Sequence, residues 1–217
     1  MVDLRHPVPV FPLPNAVLFP HARLPLHVFE LRYRILVRDA LAGPRLIALA
    51  LLAPGWERDY RDAPEFFSVG CVGRIDRAEW QPNDCYDLEL VGVSRVRFTR
   101  VLREFPYRSV HVETLPQHPY PEDDPLVKVE HQALRETFQR LLATFTTPPG
   151  LQLIPTADVP FEALVNGICV SLDLEPSVKL RLLEEDSVIE RGRRVREWIE
   201  RRLRAMEGGG AAGGERN

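Results

Sequence analysis

Residues Phe11 to Leu36 read FPLPNAVLFPHARLPLHVFELRYRIL, a stretch that mixes strand-like and helix-like apolar residues with four prolines. Proline has no N–H to give to a sheet and normally lies at strand ends, bulges or turns. The stretch therefore predicts short, interrupted strands. An apolar stripe at helical spacing then predicts a helix from Leu31 to Leu41 that ends at Gly43-Pro44. The stripe consists of Tyr33, Leu36, Val37, Ala40 and Leu41.

Short apolar runs continue beyond this helix and are separated by frequent turn residues. In Tyr86–Leu90 apolar and polar residues alternate, which places Asp87 and Glu89 on a solvated face. Several short strands at this spacing predict a closed or nearly closed β-barrel rather than a parallel sheet. The best strand candidates are Leu46–Leu52, Phe67–Ile75, Tyr86–Val93, Arg95–Leu102 and Tyr107–Leu115.

The character of the chain changes near residue 120. The segment LPQHPYPEDDP, Leu115 to Pro125, is polar and contains four prolines, which predicts a linker or a wrapping arm. The spacing is helical after it, and Asp124 is placed to cap and Pro125 to begin the first of these helices. Further helices are predicted from Phe161 to Leu172, from Pro176 and from Asp186.

These patterns predict an α+β protein with three parts. Residues 1–118 form a β-barrel domain with one inserted helix, and residues 119–207 form a helical bundle domain. Residues 208–217 form a glycine-rich tail that is expected to be disordered, because GGGAAGGERN has no apolar side chains to bury in a core.

The composition argues against several classes of protein. The net charge of −3 gives no strong field that would attract nucleic acid or a membrane. Three widely spaced cysteines without a CxxC pair argue against a disulfide framework or a zinc knuckle. The N-terminus lacks a secretory apolar region, and the longest apolar run, Leu46–Ala53, is far too short to span a bilayer. We expect a cytoplasmic protein.

The opening stretch, extended to Leu41, resembles the beginning of the Lon protease N-terminal domain family, in the version found in small stand-alone bacterial proteins. Three further regions agree with that family in the expected order. They are similar to its strand with a glycine before a small residue, to its G-x-x-R-hydrophobic strand and to its C-terminal helical signature. The regions are Val69–Ile75, Leu90–Phe98 and Leu172–Leu174 with Lys179–Val188.

The resemblance implies a PUA-like β-barrel followed by the helical bundle. In such a barrel the prolines would mark the start of the first strand, the turn after Phe19 and the corner leading to the helix. Gly70, Gly73 and Gly92 would allow bulges or close strand approach. In the full protease this region recognises and holds polypeptide substrates. We therefore predict a non-catalytic polypeptide-binding module whose partners are unfolded or exposed polypeptide segments.

The motifs of the ATPase and peptidase chemistry are missing from the sequence. It has no GxxxxGK[ST] loop for the phosphates of ATP and no GxSxG nucleophile elbow. Ser177 and Lys179 lie close in sequence, but within the helical signature and without partner chemistry. Cys71 and Cys85 are expected to pack as small apolar residues. The prediction is no enzyme activity, no cofactor and no metal site.

Candidate polypeptide-binding residues combine aromatic surface with charged anchors. The long connection after Ala53 offers three aromatic residues among charges, and a fourth lies beside a probable hairpin tip at Gln81–Asp84. Three charged residues lie between the barrel and the inserted helix. As an alternative, the aromatic residues could simply pack against the barrel, and the charged residues could simply hold the helix against the barrel. The candidates are Trp56, Tyr60, Phe66, Trp80, Arg23, Glu30 and Arg32.

Three other functions are kept as alternatives, the third of which is an unrecognised hydrolase. The chain could be an adaptor or regulator that docks on a separate ATP-dependent protease. It could also be a PUA-like RNA-binding module, with strand arginines forming a basic face, although neighbouring acids would neutralise much of that face. Membrane binding is not expected, nucleic acid is an unfavoured partner, and homo-oligomerisation is left open. The strand arginines are Arg74, Arg77, Arg95, Arg97, Arg100 and Arg108.

Overall fold

The computed structural model describes residues 4–58, 64–145 and 159–211, with backbone alone for 208–211. These residues form six strands and five α-helices, with a short 3₁₀ helix at Trp56–Arg58. The strands are β1 (Val8–Leu13), β2 (Arg23–Val28), β3 (Leu46–Leu52), β4 (Phe66–Gln81), β5 (Cys85–Arg103) and β6 (Ser109–Thr114). The helices are α1 (Leu31–Ala42), α2 (Pro125–Ala143), α3 (Phe161–Ser171), α4 (Pro176–Glu184) and α5 (Val188–Ala211).

Five of the strands close into a ring, as the strand spacing predicts. The order around it is β5-β4-β3-β1-β6, and β6 pairs back onto the second half of β5. The pairing of β1 with β3 is parallel and the other pairings in the ring are antiparallel. Buried side chains from the strands fill the interior, including Val10, Ala48, Val72, Val96 and Val110. The barrel and the α+β class predicted from the sequence are confirmed.

Strand β5 is one strand of 19 residues, where the sequence predicts two. Its first half lies between β2 and the second half of β4, and its second half pairs with β6. The register shifts at Val72/Gly73, opposite Gly92, so the chain bends there without leaving the sheet. The sequence pattern instead predicts a break between two strands here, Tyr86–Val93 and Arg95–Leu102.

Beyond the ring, three strands continue as an extension. It consists of β2, residues 85–91 of β5 and residues 74–81 of β4. Successive side chains of a strand point to opposite faces, so directly paired residues share a face. One face of the extension carries the buried Val28 and Leu88 and the half-buried Leu26 and Tyr86, whereas the other face is charged.

The prolines lie partly inside strands, in contrast to the expectation. Pro20 is in the turn after Phe19 as predicted, followed by His21 with a φ of 65°. Pro12, however, is within β1 and pairs with Ala50 of β3. The nitrogen of Pro12 points to the same side of β1 as the nitrogen of Val10, two residues earlier. The Val10 N–H donates to the carbonyl of Arg108, just before β6, so this side of β1 faces β6 and not β3. The missing N–H therefore removes no bond from the ladder with β3.

Pro25 does not mark the corner before α1. It lies in the middle of β2 opposite Glu89, and the corner is formed by Phe29 and Glu30. Strand β2 is at the end of the strand order, where the sheet tolerates a residue that cannot donate. The expectation that Pro25 marks the corner leading to the helix was therefore wrong, because proline can also lie within a strand at the edge of a sheet.

Two glycines of the barrel are positions of close approach. A Cβ on Gly70 would lie 2.3 Å from the carbonyl oxygen of Leu49 and 2.6 Å from the ring of Phe98. A Cβ on Gly92 would lie 1.9 Å from the carbonyl oxygen of Phe19. The Gly92 carbonyl accepts from the His21 N–H at 2.8 Å, and the Gly92 N–H donates to Ala22. The proline turn is thereby held directly against β5.

The helices begin close to their predicted positions. Asp124 caps α2, since its carboxylate accepts from the Leu126 N–H at 2.8 Å, and Pro125 is the first helical residue. The last helix starts at Val188, two residues later than expected, because the Ser187 hydroxyl accepts from the Glu190 N–H and acts as the cap. The backbone of α5 runs to Ala211, into the predicted tail, whose disorder stays a prediction.

The described chain forms two compact units. The first ends at Pro116 and also takes in Cys169–Glu184, so α4 belongs with the barrel and contacts β4. The second runs from Gln117 to Ile168 and from Glu185 onward, and α2 contacts α5 within it. The predicted boundaries at 118, 207 and 217 stay predictions. Among the described residues, the helices lack the combination of length and apolar character that crossing a bilayer requires.

Candidate functional site

Three exposed apolar side chains and the half-buried Tyr86 lie at or beside the tip of the β-extension. Trp80 is 53% exposed and packs edge-on against Tyr86, with ring centroids 4.8 Å apart. Tyr86 pairs with Val28, and Phe29 directly follows Val28 with an exposure of 67%. We call the set Phe29, Leu31, Trp80 and Tyr86 the tip patch. Single exposed apolar residues are common, but several of them near one end of a sheet make that end a candidate interaction surface.

Helix α1 brings Leu31 to this patch. Arg34, one turn after Leu31 and on the same helix face, donates to the carbonyl of Asp84 at 2.7 Å and forms an ion pair with the Asp84 carboxylate. Asp84 is in the turn between β4 and β5. This contact holds the start of α1 against the hairpin turn, where Leu31 remains 64% exposed. Glu30 precedes α1 and its carboxylate accepts from Arg32 at 3.1 Å.

The opposite face of the extension is a network of paired charges. Arg23 donates to Asp76 at 2.9 Å and also to Glu89, and these hydrogen bonds raise the pKa of Arg23 above its ordinary value. His27 Nδ1 lies 2.6 Å from the Asp87 carboxylate. Because these groups are exposed to water, the pairs contribute little to stability. They give this face a polar character that contrasts with the tip patch.

Phe66 lies at the far end of β4 from Trp80. Its ring packs edge-on against Phe98 with centroids 5.3 Å apart, and the Arg108 guanidinium lies 4.5 Å from its centre. Both phenylalanines border an open cavity of about 310 Å³ and pack partly against the barrel core. Phe66 and Trp80 therefore belong to separate surfaces of the barrel unit.

The remaining predicted residues are placed individually. Trp56 is half-buried in the 3₁₀ helix, and Tyr60 lies outside the described residues. Arg32 has its guanidinium 4.6 Å from the Tyr33 ring centre and borders a second cavity with Arg108. Of the predicted set, Trp80 is in the tip patch. Glu30 and Arg32 are the sequence neighbours of Leu31 in that patch, and Arg23 belongs to the charged face. Their joint role in binding stays a prediction.

Phe29, Leu31 and Tyr86 are not among the binding residues predicted from the sequence. A usable signal was present in the helix pattern, because Leu31 falls outside the apolar stripe of α1 and so has no place in the core. Phe29 directly follows the buried Val28, so its side chain is expected to point away from the buried face of the strand. The position of Tyr86 opposite Trp80 depends on the hairpin register, which the sequence does not specify.

The described surroundings of two reactive side chains, Cys85 and Lys179, are as follows. The Cys85 thiol lies 3.9 Å from Nδ1 of His27, but the same nitrogen faces Asp87, so His27 could not relay a proton between them. Lys179 donates to the Val170 carbonyl at 2.9 Å, and burial lowers the pKa of this amine. Within the described ranges, no group of three His, Cys, Asp or Glu side chains is placed to hold a metal.

The strand arginines are largely engaged with other groups. Arg77 pairs with Glu79, and Arg97 is opposite Glu113 across the β5–β6 ladder. Arg95 is 3% exposed and donates to the carbonyls of Leu183, at 2.8 Å, and Pro116. A phosphate backbone needs accessible cations along one face. The arrangement of these three arginines does not supply one.

A family model, the ATP-dependent protease La (LON) substrate-binding domain, matches residues 7–201. The Lon protease of Dictyoglomus thermophilum is 26% identical over 208 residues, which are 94% of this chain and 26% of that protein. Lon protease 2 of Sorangium cellulosum is 32% identical over 111 residues, 51% of this chain and 14% of its own length. The chain thus spans about a quarter or less of the curated relatives it matches.

Two solved structures share the fold over most of their length. A Lon N-terminal domain protein from Xanthomonas campestris superposes with a TM-score of 0.64 at 25% identity, covering 89% of this chain and 98% of that one. The N-terminal domain of the Mycobacterium avium complex Lon protease gives a TM-score of 0.67, covering 90% and 98%. At 17% identity, the second comparison bears on the fold alone.

Proposed function

Because the chain belongs to the family of Lon substrate-binding domains, we propose that it is a polypeptide-recognition module that binds exposed apolar segments at the tip patch. Phe29, Leu31 and Trp80 are each more than half exposed, so they add little to the barrel core. This exposure is the observation that carries the proposal. Binding proceeds by burial of apolar surface and does not require a chemical step.

The tip patch suits a ligand of variable sequence. Its side chains come from three elements: the end of β2, the start of α1 and the β4–β5 hairpin. The contact between Arg34 and Asp84 holds the start of α1 against the β4–β5 turn, which reduces the ordering cost on binding. Each Å² of apolar surface removed from water contributes about 25 cal/mol before association costs are subtracted. We expect weak, broad binding that depends little on salt.

The proposal is tested with a permanently unfolded polypeptide. Fluorescein-labelled, reduced and carboxymethylated α-lactalbumin is titrated with the protein, and binding is followed by anisotropy. The variant Phe29→Ala/Trp80→Ala should weaken binding about tenfold, which corresponds to about 1.4 kcal/mol. Val129→Ala is the matched control, because Val129 is equally apolar and 64% exposed but lies on α2 in the other unit.

Each outcome of this titration has a defined meaning. Unchanged affinity in the tip variant, with circular dichroism like that of the parent, contradicts the proposed surface. A loss confined to Val129→Ala places binding on α2 and overturns the assignment as well. Binding of an oligonucleotide that falls steeply with added salt would instead support the nucleic-acid alternative.

A further inference from the structure

The barrel wall opens where β4 and β5 separate. Their antiparallel ladder ends with the pair Val69 and Arg97. Before that pair β4 is paired only with β3, through Phe66 and Leu52, and after it residues 98–101 of β5 are paired only with β6. Each strand therefore has one edge without a ladder partner among the described residues. The two edges border the open cavity of about 310 Å³, and we call this opening the seam.

Val101 shows that the seam exposes the inner side of the barrel. It pairs with Val110, which is 0% exposed and belongs to the core, so both side chains point to the inner face. Val101 is nevertheless 43% exposed. The difference arises because β4 accompanies β5 only as far as Arg97, and no described strand covers β5 on that side beyond it.

A β-bulge shapes the β5 side of the seam. The register with β6 shifts between Phe98 and Arg100, immediately after the ladder with β4 has ended. Bulges of this kind end pairing or re-aim a side chain, and they are common beside functional sites. Here the bulge brings Phe98 and Val101, three residues apart, to the same inner face, since their partners Val112 and Val110 are both core residues. Phe66 packs edge-on against Phe98 from the β4 side, which gives the seam an apolar floor.

We propose that the seam binds an extended polypeptide segment, which adds as a short strand to residues 98–101 of β5 in the place that β4 leaves open. A strand edge presents N–H and C=O groups at the spacing that another extended backbone matches. The main-chain bonds hold the segment, and its alternate side chains enter the cavity over Phe98 and Val101. The inference goes beyond the proposed function, because the seam and the tip patch are separate surfaces and either can bind without the other.

A single chain suits the seam better than the sheet edge of a folded partner. Neighbouring strands lie about 4.8 Å apart, so a strand from a folded sheet would bring its own neighbour against β4. The bulge and the exposed Arg100 also discourage pairing between two folded sheets. Small-molecule pockets run from about 300 to 1,000 Å³, so 310 Å³ suits one or two apolar side chains. Charges of both signs line the cavity, Glu65 with Arg100 and Arg108, so the segment needs no particular charge.

The test uses the direction of main-chain groups in an extended peptide. The N–H groups of successive residues point to opposite edges of a strand. A fluorescein-labelled peptide of alternating valine and threonine, flanked by glycine and serine, is prepared unmethylated, with N-methylvaline throughout and with N-methylthreonine throughout. Anisotropy titration should show one methylated form binding about tenfold more weakly than the other, because only that form loses the bonds to β5. Equal affinity of the two methylated forms, or no binding of the unmethylated peptide, overturns the proposal.

Two variants place the peptide at the seam. Val101→Lys puts a charge on the inner face and should weaken binding of the unmethylated peptide about tenfold. Leu102→Lys is the matched control, because Leu102 is the next residue and is also 43% exposed but does not line the cavity. Both variants should melt at the temperature of the parent, since both side chains are already exposed to water. An equal loss of affinity in the two variants contradicts the assignment.

Two further results would assign the peptide or the seam differently. If Phe29→Ala/Trp80→Ala releases the peptide and Val101→Lys does not, the peptide lies on the tip patch, and the seam proposal fails while the proposed function stands. If Val101→Lys leaves peptide binding unchanged but sediments as a smaller species than the parent, a second copy of the chain occupies the seam. That result also overturns the proposal.

Discussion

Gly92 shows how a single missing side chain determines the barrel. The proline turn at Pro20-His21 approaches β5 so closely that its backbone bonds directly to Gly92 at two places. A methyl group here would meet the carbonyl of Phe19 at 1.9 Å, and backbone atoms cannot move aside as the end of a side chain can. Glycine is needed at this position because the turn lies directly against β5, and not because the backbone has a positive φ.

We therefore expect Gly92→Ala to lower the free energy of unfolding by about 3 kcal/mol, or to prevent folding. Urea denaturation followed by tryptophan fluorescence measures the change. Gly43→Ala is the matched control, since a Cβ at Gly43 would be 3.6 Å from its nearest neighbour, an ordinary contact. If the two variants are equally stable, the close approach at Gly92 does not constrain the barrel.

The sequence identifies glycines at close approaches better than it identifies the contacts that a buried polar side chain makes. Gly70 and Gly92 could be singled out from the strand patterns and the family resemblance. The burial of Arg95 could not, because its partner carbonyls at Pro116 and Leu183 are distant along the chain. The apolar residues of the tip patch were hidden for a similar reason. Their exposure depends on which neighbours the fold supplies.

At the scale of elements, the helix starts follow local chemistry and are predictable. Asp124 and Pro125 supply a cap and a first residue with a preset φ, and both act within one turn of the chain. The strands are less predictable, since β5 changes partners halfway and continues where a local pattern indicates an end. Pairing across the sheet decides strand length, and pairing is not local.

The cap of α2 gives a prediction at this scale. Asp124→Ala removes the acceptor for the Leu126 N–H and should lower the free energy of unfolding by about 1 kcal/mol. Thermal denaturation followed by circular dichroism at 222 nm provides the measurement. Asp123→Ala removes the same charge one residue earlier and should change stability by less than half as much. A larger loss in Asp123→Ala would show that charge, and not capping, is responsible.

At the scale of the whole molecule, the residues that pack together in one unit are not all consecutive along the chain. The barrel unit recruits α4 from a distant part of the sequence, and the buried guanidinium of Arg95 donates to the end of that helix. A boundary drawn where the composition changes, near residue 118, leaves α4 on the other side. The sequence signal for that boundary was the proline-rich segment, which marks a change in spacing but not the end of a packing unit.

A fragment of residues 1–118 should consequently be much less stable than the full chain. It keeps every strand but loses α4, which contacts β4, and the carbonyl of Leu183, to which Arg95 donates. The truncation exposes the apolar surface that α4 covers, at about 25 cal/mol per Å², and removes a hydrogen bond to a charged group, which contributes about 1.5–3 kcal/mol. Comparison of the two proteins by near-ultraviolet circular dichroism and thermal melting tests this. A fragment that melts at the temperature of the full chain would establish the barrel as an independent domain.

The hairpin of β4 and β5 continues past the closed ring, and this has a consequence for how such a module can diversify. Residues at its far end, Trp80 among them, contact few of the side chains that keep the barrel folded. Mutations there can alter ligand preference with little penalty to the scaffold. Exchanging the hairpin end between homologous proteins should therefore transfer selectivity and leave the recipient's melting temperature nearly unchanged.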